Sequence, residues 1–243
     1  LPAQKRPAFY ALRRGAWRDY LTLLHPPYTV WHLSYVVLGA AAAPVFRPDR
    51  LGWAFLAFFL GVGLSSHALD ELHGRPLKTG IPSSVLWGIA AASAAGAVAI
   101  GVYGAATVSP SIWPFVIFGV FILGAYTLEW FGGWFHTDFW FAFAWGAFPC
   151  ATAYWASAVS FNLGAGALAA ACFGLSLAQR KLSAQARLLR RKVARAEGVI
   201  EFQDGARSRI DETWLLAVPE AALKILAPTV ALLAAGWLLL RLQ

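Results

Sequence analysis

Seven stretches of this chain, near residues 27–46, 51–70, 83–105, 111–130, 138–159, 162–182 and 214–240, are apolar over about the length a helix needs to cross a bilayer. They are built from Ala, Leu, Val and Phe without the two-residue alternation of a membrane barrel strand, and a spanning segment must satisfy its backbone internally. With 59% of residues hydrophobic, the composition agrees. The expected fold is all-α: a polytopic transmembrane bundle of about seven spans, in one domain over residues 1–243.

The formal charge of +8 does not point to nucleic acid, because the cations are segregated along the chain. Lys5, Arg6, Arg13, Arg14 and Arg18 precede the first span, and Arg75 and Lys78 follow the second. Arg180, Lys181, Arg187, Arg190, Arg191, Lys192, Arg195, Arg207 and Arg209 lie between the sixth and the seventh. The opposite loops hold only Arg47 and Arg50, with Arg241 near the C-terminus. The positive-inside rule then places the N-terminus in the cytoplasm. A multi-pass protein of a prokaryotic inner membrane is the expectation.

Residues 1–25 hold Tyr10, Leu12, Trp17 and Leu21 among arginines, as an interfacial amphipathic helix on anionic lipid would. Residues 179–213 read as a cytoplasmic basic helix followed by a polar loop with Glu197, Glu201, Asp204, Asp211 and Glu212. For the basic helix, lipid binding and topology come first, and a phosphate-bearing substrate is the other reading. Cys150 and Cys172 fall inside spans without metal-type spacing and read as small core residues.

Polar residues concentrate at the end of the second apolar run, from Ser66 to Gly80. His67 stands three residues before Asp70 and four before Glu71, so all three share a helix face. Gly74, Pro76 and Gly80 then break the helix, while Arg75 and Lys78 supply positive charge. This combination suits a polar headgroup or a phosphate at a membrane surface. Tyr28, Trp31, His32 and Tyr35 form either an aromatic belt or the wall of a cavity. Glu129 and Asp138 sit near span ends, as functional acids or as solvated ones. Gly146 and Pro149, beside Trp145, predict a kink in the fifth span, and Glu220 with Lys224 predicts an i,i+4 pair in the last.

The run ending in Asp70, followed by Arg75-Pro76-Leu77-Lys78-Thr79-Gly80, resembles the second-span motif of the UbiA superfamily of intramembrane prenyltransferases. That motif has the form Asn-Asp-x-x-Asp, then Arg-Pro-Leu-x-x-Gly. Tyr126 at the end of the fourth span and the aromatic fifth span, with Trp145, look like their family counterparts. The resemblance covers roughly the first 160 residues. It implies a helical bundle around a cavity open to lipid, and a Mg²⁺ cofactor held by two acidic motifs. It also implies transfer of a prenyl group from an isoprenyl diphosphate to a lipophilic acceptor. In this chain Asp70 and Glu71 would be the catalytic, metal-holding acids, with Asp204 and Asp211 as the candidates for the second motif. His67, Arg75, Lys78, Tyr126 and Trp145 would bind substrate.

The chain also departs from the pattern. His67 stands where the family has its first Asp, and the basic run Arg180–Arg195 follows the sixth span where the family is acidic. Two readings therefore stay open. One is a prenyltransferase; the other is a non-catalytic UbiA-like subunit that holds a quinone, pigment or lipid within a larger membrane complex.

Overall fold

The computed structural model describes residues 6–243; the part of the expected interfacial helix at residues 1–5 lies outside them. The chain is mostly helical. Among the described residues four helices are long and apolar enough to cross a membrane: α3 (Pro48–Leu72), α4 (Ser83–Thr107), α5 (Pro110–Thr127) and α8 (Glu212–Leu242). Three further helices complete the bundle: α2 (Pro26–Ala42), α6 (138–158) and α7 (Leu163–Arg191). The short α1 (Ala16–Leu23) precedes them.

Helix boundaries follow local chemistry. Pro26-Pro27, Pro48 and Pro110 open helices at positions where no backbone N–H is needed. Asn162 caps α7 by accepting from the Ala165 N–H, and Asp211 caps α8 by accepting from Trp214. The turn from α5 to α6 takes left-handed backbone at Glu129, Phe131, Gly132 and Gly133. π-Helical turns at Phe59–Ser66 in α3 and Phe143–Ala147 in α6 re-aim the side chains that follow, and such bulges are frequent at functional sites.

From Trp31 to Ala41 almost every residue of α2 is buried. Trp31, Tyr35, Val36 and Ala40 are inaccessible to solvent, and the helix lies against α3, α6, α7 and α8. A Cβ on Gly39 would overlap the Cys150 carbonyl, so α2 and α6 approach backbone to backbone, as small residues allow in lipid-facing bundles. Trp31, Tyr35, Cys150, Cys172, Leu223 and Ala227 form the core between α2, α6, α7 and α8.

Two expectations are corrected. The amphipathic helix is only one stretch of eight residues, since Pro7 and Gly15, the latter at φ +143°, keep the chain before it irregular. The expected polar loop contains an antiparallel hairpin, β1 (Glu197–Glu201) with β2 (Arg207–Asp211). Val199, Ile200 and Ile210 favour strands, and Gly205 at φ +81° closes the turn.

Candidate functional site

A polar cavity of about 260 Å³ opens at the end of the bundle where α3 and α5 finish and where α7 continues into its basic half. Its wall is assembled from the last turns of α3 (Ser66, His67, Asp70), the start of α2 (His25, Tyr28, His32) and one face of α7. Tyr126, Phe141 and Trp145 form its aromatic floor, and residues 7–10 cross over it.

The floor is a stack of rings. Tyr126 lies 4.5 Å from Trp145 and 4.4 Å from His136, while Phe141 stacks on Trp145 at 5.7 Å. The Arg180 guanidinium sits over Phe141 at 5.3 Å, a cation–π arrangement. His32 is fixed by a 2.7 Å bond between Nδ1 and the Trp145 carbonyl, and His67 by a 3.0 Å bond to the Gly63 carbonyl. In each, Nδ1 carries the hydrogen, which turns the lone pair of Nε2 outward. His25 stacks on His67 at 4.1 Å and bonds the Tyr10 hydroxyl at 3.0 Å. Burial, helped by His67 and the nearby arginines, holds the His25 pKa well below the usual histidine range. Burial likewise pushes the Tyr10 phenol up.

Basic side chains on α7 dominate the electrostatics. Arg190 grips Glu220 of α8 through Nε and, at 2.8 Å, through Nη2, a two-point pair; Lys224 is only a distant partner at 3.9 Å. Arg180 bonds Asp138 at 3.1 Å and Lys181 bonds the same carboxylate at 2.5 Å. Among the described residues Arg187 and Arg191 have neutral hydrogen-bond partners only, the Ser183 hydroxyl at 2.9 Å and the Pro7 carbonyl at 3.1 Å. Burial disfavours the charge of Arg187, and Arg180 and Arg191 add to this.

The expected site residues divide into two groups. His67, Asp70, Tyr126 and Trp145 all line the cavity. Glu71 does not. Its buried carboxylate turns into the following loop, with Oε2 accepting from Leu77 N–H at 2.9 Å and Oε1 from Thr79 N–H and hydroxyl at 2.8 and 2.9 Å. Arg75 reaches forward instead, donating to the Ile81 carbonyl and the Ser83 hydroxyl at 2.6 Å and so tying the loop to the start of α4. Gly80 donates to Asp19 of α1 at 2.9 Å, and Lys78 takes a left-handed backbone beside it. Within this chain, Arg75–Gly80 is a loop built around Glu71.

Asp204 and Asp211 do not line the cavity. Asp204 accepts from Ala206 N–H in the hairpin turn, and Asp211 caps α8. Among the described residues no three His, Cys, Asp or Glu side chains stand together as a metal site. Among the described residues the cavity offers Asp70 without an ion-pair partner and, at its exposed side, Glu129 3.9 Å from His136; arginines on the same wall repel a divalent cation, and this donor set does not fit a two-motif magnesium centre.

A second space, an apolar groove of about 470 Å³, runs between α3, α4, α5 and α6, lined by Trp53, Phe58, Val98, Phe115, Val116 and Phe148. Trp145 borders both spaces. Sequence reasoning missed His25, Gln179 and the full arginine face as cavity residues. The signal was present: Gln179, Ser183, Ala186, Arg187, Arg190 and Arg191 recur at three- and four-residue spacing on α7.

No family model, no curated protein and no solved structure matches this chain.

Proposed function

We propose that this is a UbiA-like, seven-span protein of a prokaryotic inner membrane with its N-terminus in the cytoplasm, acting on an isoprenyl diphosphate. The observation that carries the reading is that Trp145 lines both an arginine-rich cavity and an apolar groove. An amphiphile with an anionic head and a long apolar tail is complementary to both, its head against α7 and its tail between α3, α4 and α5.

The reaction that suits this arrangement is prenyl transfer. The allylic C–O bond breaks with its electron pair leaving on the diphosphate, and the prenyl carbon bonds to a carbon of a lipophilic acceptor, which gives up a proton. Guanidinium groups facing the cavity favour the charge that develops on the leaving group, and the rings of Tyr126, Phe141 and Trp145 favour the allylic cation. The outward lone pairs of His32 and His67, with Asp70, are the available proton acceptors.

Protein in lipid nanodiscs, given a labelled geranylgeranyl diphosphate and hydroxylated aromatic acceptors, should release diphosphate and form a prenylated lipid. Ala97→Phe, which fills the groove, should reduce both binding and product. Failure of any isoprenyl diphosphate to bind would end the reading.

A second reading is favoured by one specific observation: of the four acids expected to hold metal, only Asp70 faces the cavity. In it the chain is a lipid-, quinone- or pigment-holding subunit of a membrane complex. A co-purifying quinone or pigment together with tight binding and no transfer would select it.

A further inference from the structure

Arg187 and Arg191 are unusual charges. Both line the cavity, the two lie one helical turn apart on α7, and neither has a carboxylate within ion-pair distance among the described residues. The other arginines of this face are neutralised: Arg190 by Glu220 and Arg180 by Asp138. Asp70 is close enough to act on Arg191 electrostatically, yet it forms no ion pair with it. Among the described residues the cavity thus carries two guanidiniums without a carboxylate partner, while its own carboxylates Asp70 and Glu129, the latter 3.9 Å from His136, form no ion pair with them.

Even partial burial of a guanidinium without a counter-charge is costly, and two such groups on one cavity wall are complementary to an anion. The neutral donors around them agree. With Tyr10 donating to His25 Nδ1, the hydrogen of His25 sits on Nε2, which is buried without a protein partner. Gln179, 1% exposed, also has a side-chain oxygen without a partner at this wall, a state in which its amide group is free to turn toward a ligand.

We infer that the cavity binds a phosphate or diphosphate head directly through Arg187 and Arg191, without a divalent cation. A forked guanidinium pairs with two phosphate oxygens at once and supplies the positive charge that magnesium brings to acid-rich sites. The inference rests on the isoprenyl reading for the identity of the tail, but not for the chemistry of the head. Asp70, on another wall of the same cavity, holds no metal for the head.

The test is equilibrium binding to the full chain in nanodiscs of neutral lipid, read by quenching of tryptophan fluorescence. The probes are geranylgeranyl diphosphate, geranylgeraniol, phosphatidylglycerol and inorganic diphosphate, each in EDTA and in magnesium. The prenyl diphosphate should bind within about twofold equally in EDTA and magnesium. Arg187→Gln and Arg191→Gln should each weaken it by roughly 10- to 100-fold, the range for losing a charge-assisted pair. Arg187→Lys, which keeps the charge and loses the fork, should fall between and guards against misfolding of the glutamine variants. Asp70→Asn should bind at least as tightly as wild type, since it removes a like charge.

Loss of binding in EDTA, or in Asp70→Asn, with the arginine variants unaffected, would overturn the inference and return the head to a metal. The alcohol, phospholipid and inorganic probes separate this from the isoprenyl reading. Arginine-dependent binding of phosphatidylglycerol or inorganic diphosphate, with no preference for the prenyl tail, would keep the arginine site and discard the isoprenyl ligand. Metal-dependent, arginine-independent binding of the prenyl diphosphate would keep the ligand and discard the arginine site.

Discussion

Replacing Glu71 with alanine separates two roles that adjacent acids can play at the end of one helix. Glu71 is 1% exposed, and its carboxylate accepts three hydrogen bonds from the loop that follows, two from backbone N–H groups of Leu77 and Thr79 and one from the Thr79 hydroxyl. Alanine orphans the two backbone donors, each at about 1–3 kcal/mol, while the hydroxyl turns to another acceptor. Partial relaxation of the loop toward water recovers some of this, so the expected destabilisation is about 3–4 kcal/mol. Glutamine keeps the Oε1 contacts and sets its amide hydrogens against Leu77 N–H, so it loses one bond, about 1–2 kcal/mol. Denaturation of the purified protein by SDS in mixed micelles, followed by circular dichroism, measures both. A Glu71→Ala protein within about 0.5 kcal/mol of wild type, scatter typical of surface sites, would refute the loop role. If that protein also lost magnesium-dependent ligand binding, Glu71 would be a metal ligand after all.

Three further outcomes are expected. Glu220→Gln leaves Arg190 without its two-point partner near the interior and should cost about 3–5 kcal/mol, whereas the double variant Glu220→Gln/Arg190→Met should recover most of it in the same unfolding assay. Gly39→Ala drives a methyl into the Cys150 carbonyl and should lower stability by about 1–3 kcal/mol or more, with a fall in thermal midpoint and no change in apparent mass. His25 is held neutral, with its folded pKa below the unfolded value near 6.5. The unfolded state therefore takes up the proton first, and stability is lost as pH falls below about 6.5, by up to about 1.4 kcal/mol per unit from this group. Thermal midpoints between pH 7.5 and 5.5 should fall more steeply in wild type than in His25→Gln; equal slopes would remove His25 as a source.

The apolar runs made the helices legible, because a backbone in lipid has few other ways to satisfy itself. What the runs do not encode is which of them is enclosed. α2 carries His32, Ser34 and two tyrosines, more polarity than most of its neighbours, yet almost every residue from Trp31 to Ala41 is buried. The β hairpin was hidden for a different reason. Its strands are five residues long, and the glutamates of β1 meet the arginines of β2, Glu201 directly opposite Arg207 and Glu197 diagonally with Arg209. Composition reports the acids and not their partners, so Asp204 and Asp211 read as ligands when one closes a turn and the other caps a helix. Asp70 and Glu71 show the same limit at the smallest scale. Neighbours on a helix differ by about 100° in direction, and only the packing of α3 decides that one faces the cavity and the other the loop.

The basic half of α7 was read first as a topology signal, and its geometry asks for more than that. Positive residues that only retain a loop on one side of a membrane lose nothing by standing in water. Arg187 and Arg191 instead stand under the segment at residues 6–10, with Arg191 spending a donor on the Pro7 carbonyl and Arg190 reaching the Arg6 carbonyl at 3.4 Å. For Arg187 and Arg191 one hydroxyl and one main-chain carbonyl are a weak return for partial burial, and an anion between α7 and the segment is a strong one. Such an anion should draw the segment down as well, since Arg191 holds both. Hydrogen exchange at Phe9–Leu12 should therefore slow on adding the prenyl diphosphate and stay unchanged in Arg191→Gln. Protection that is indifferent to Arg191 would show that the segment and the arginines are independent.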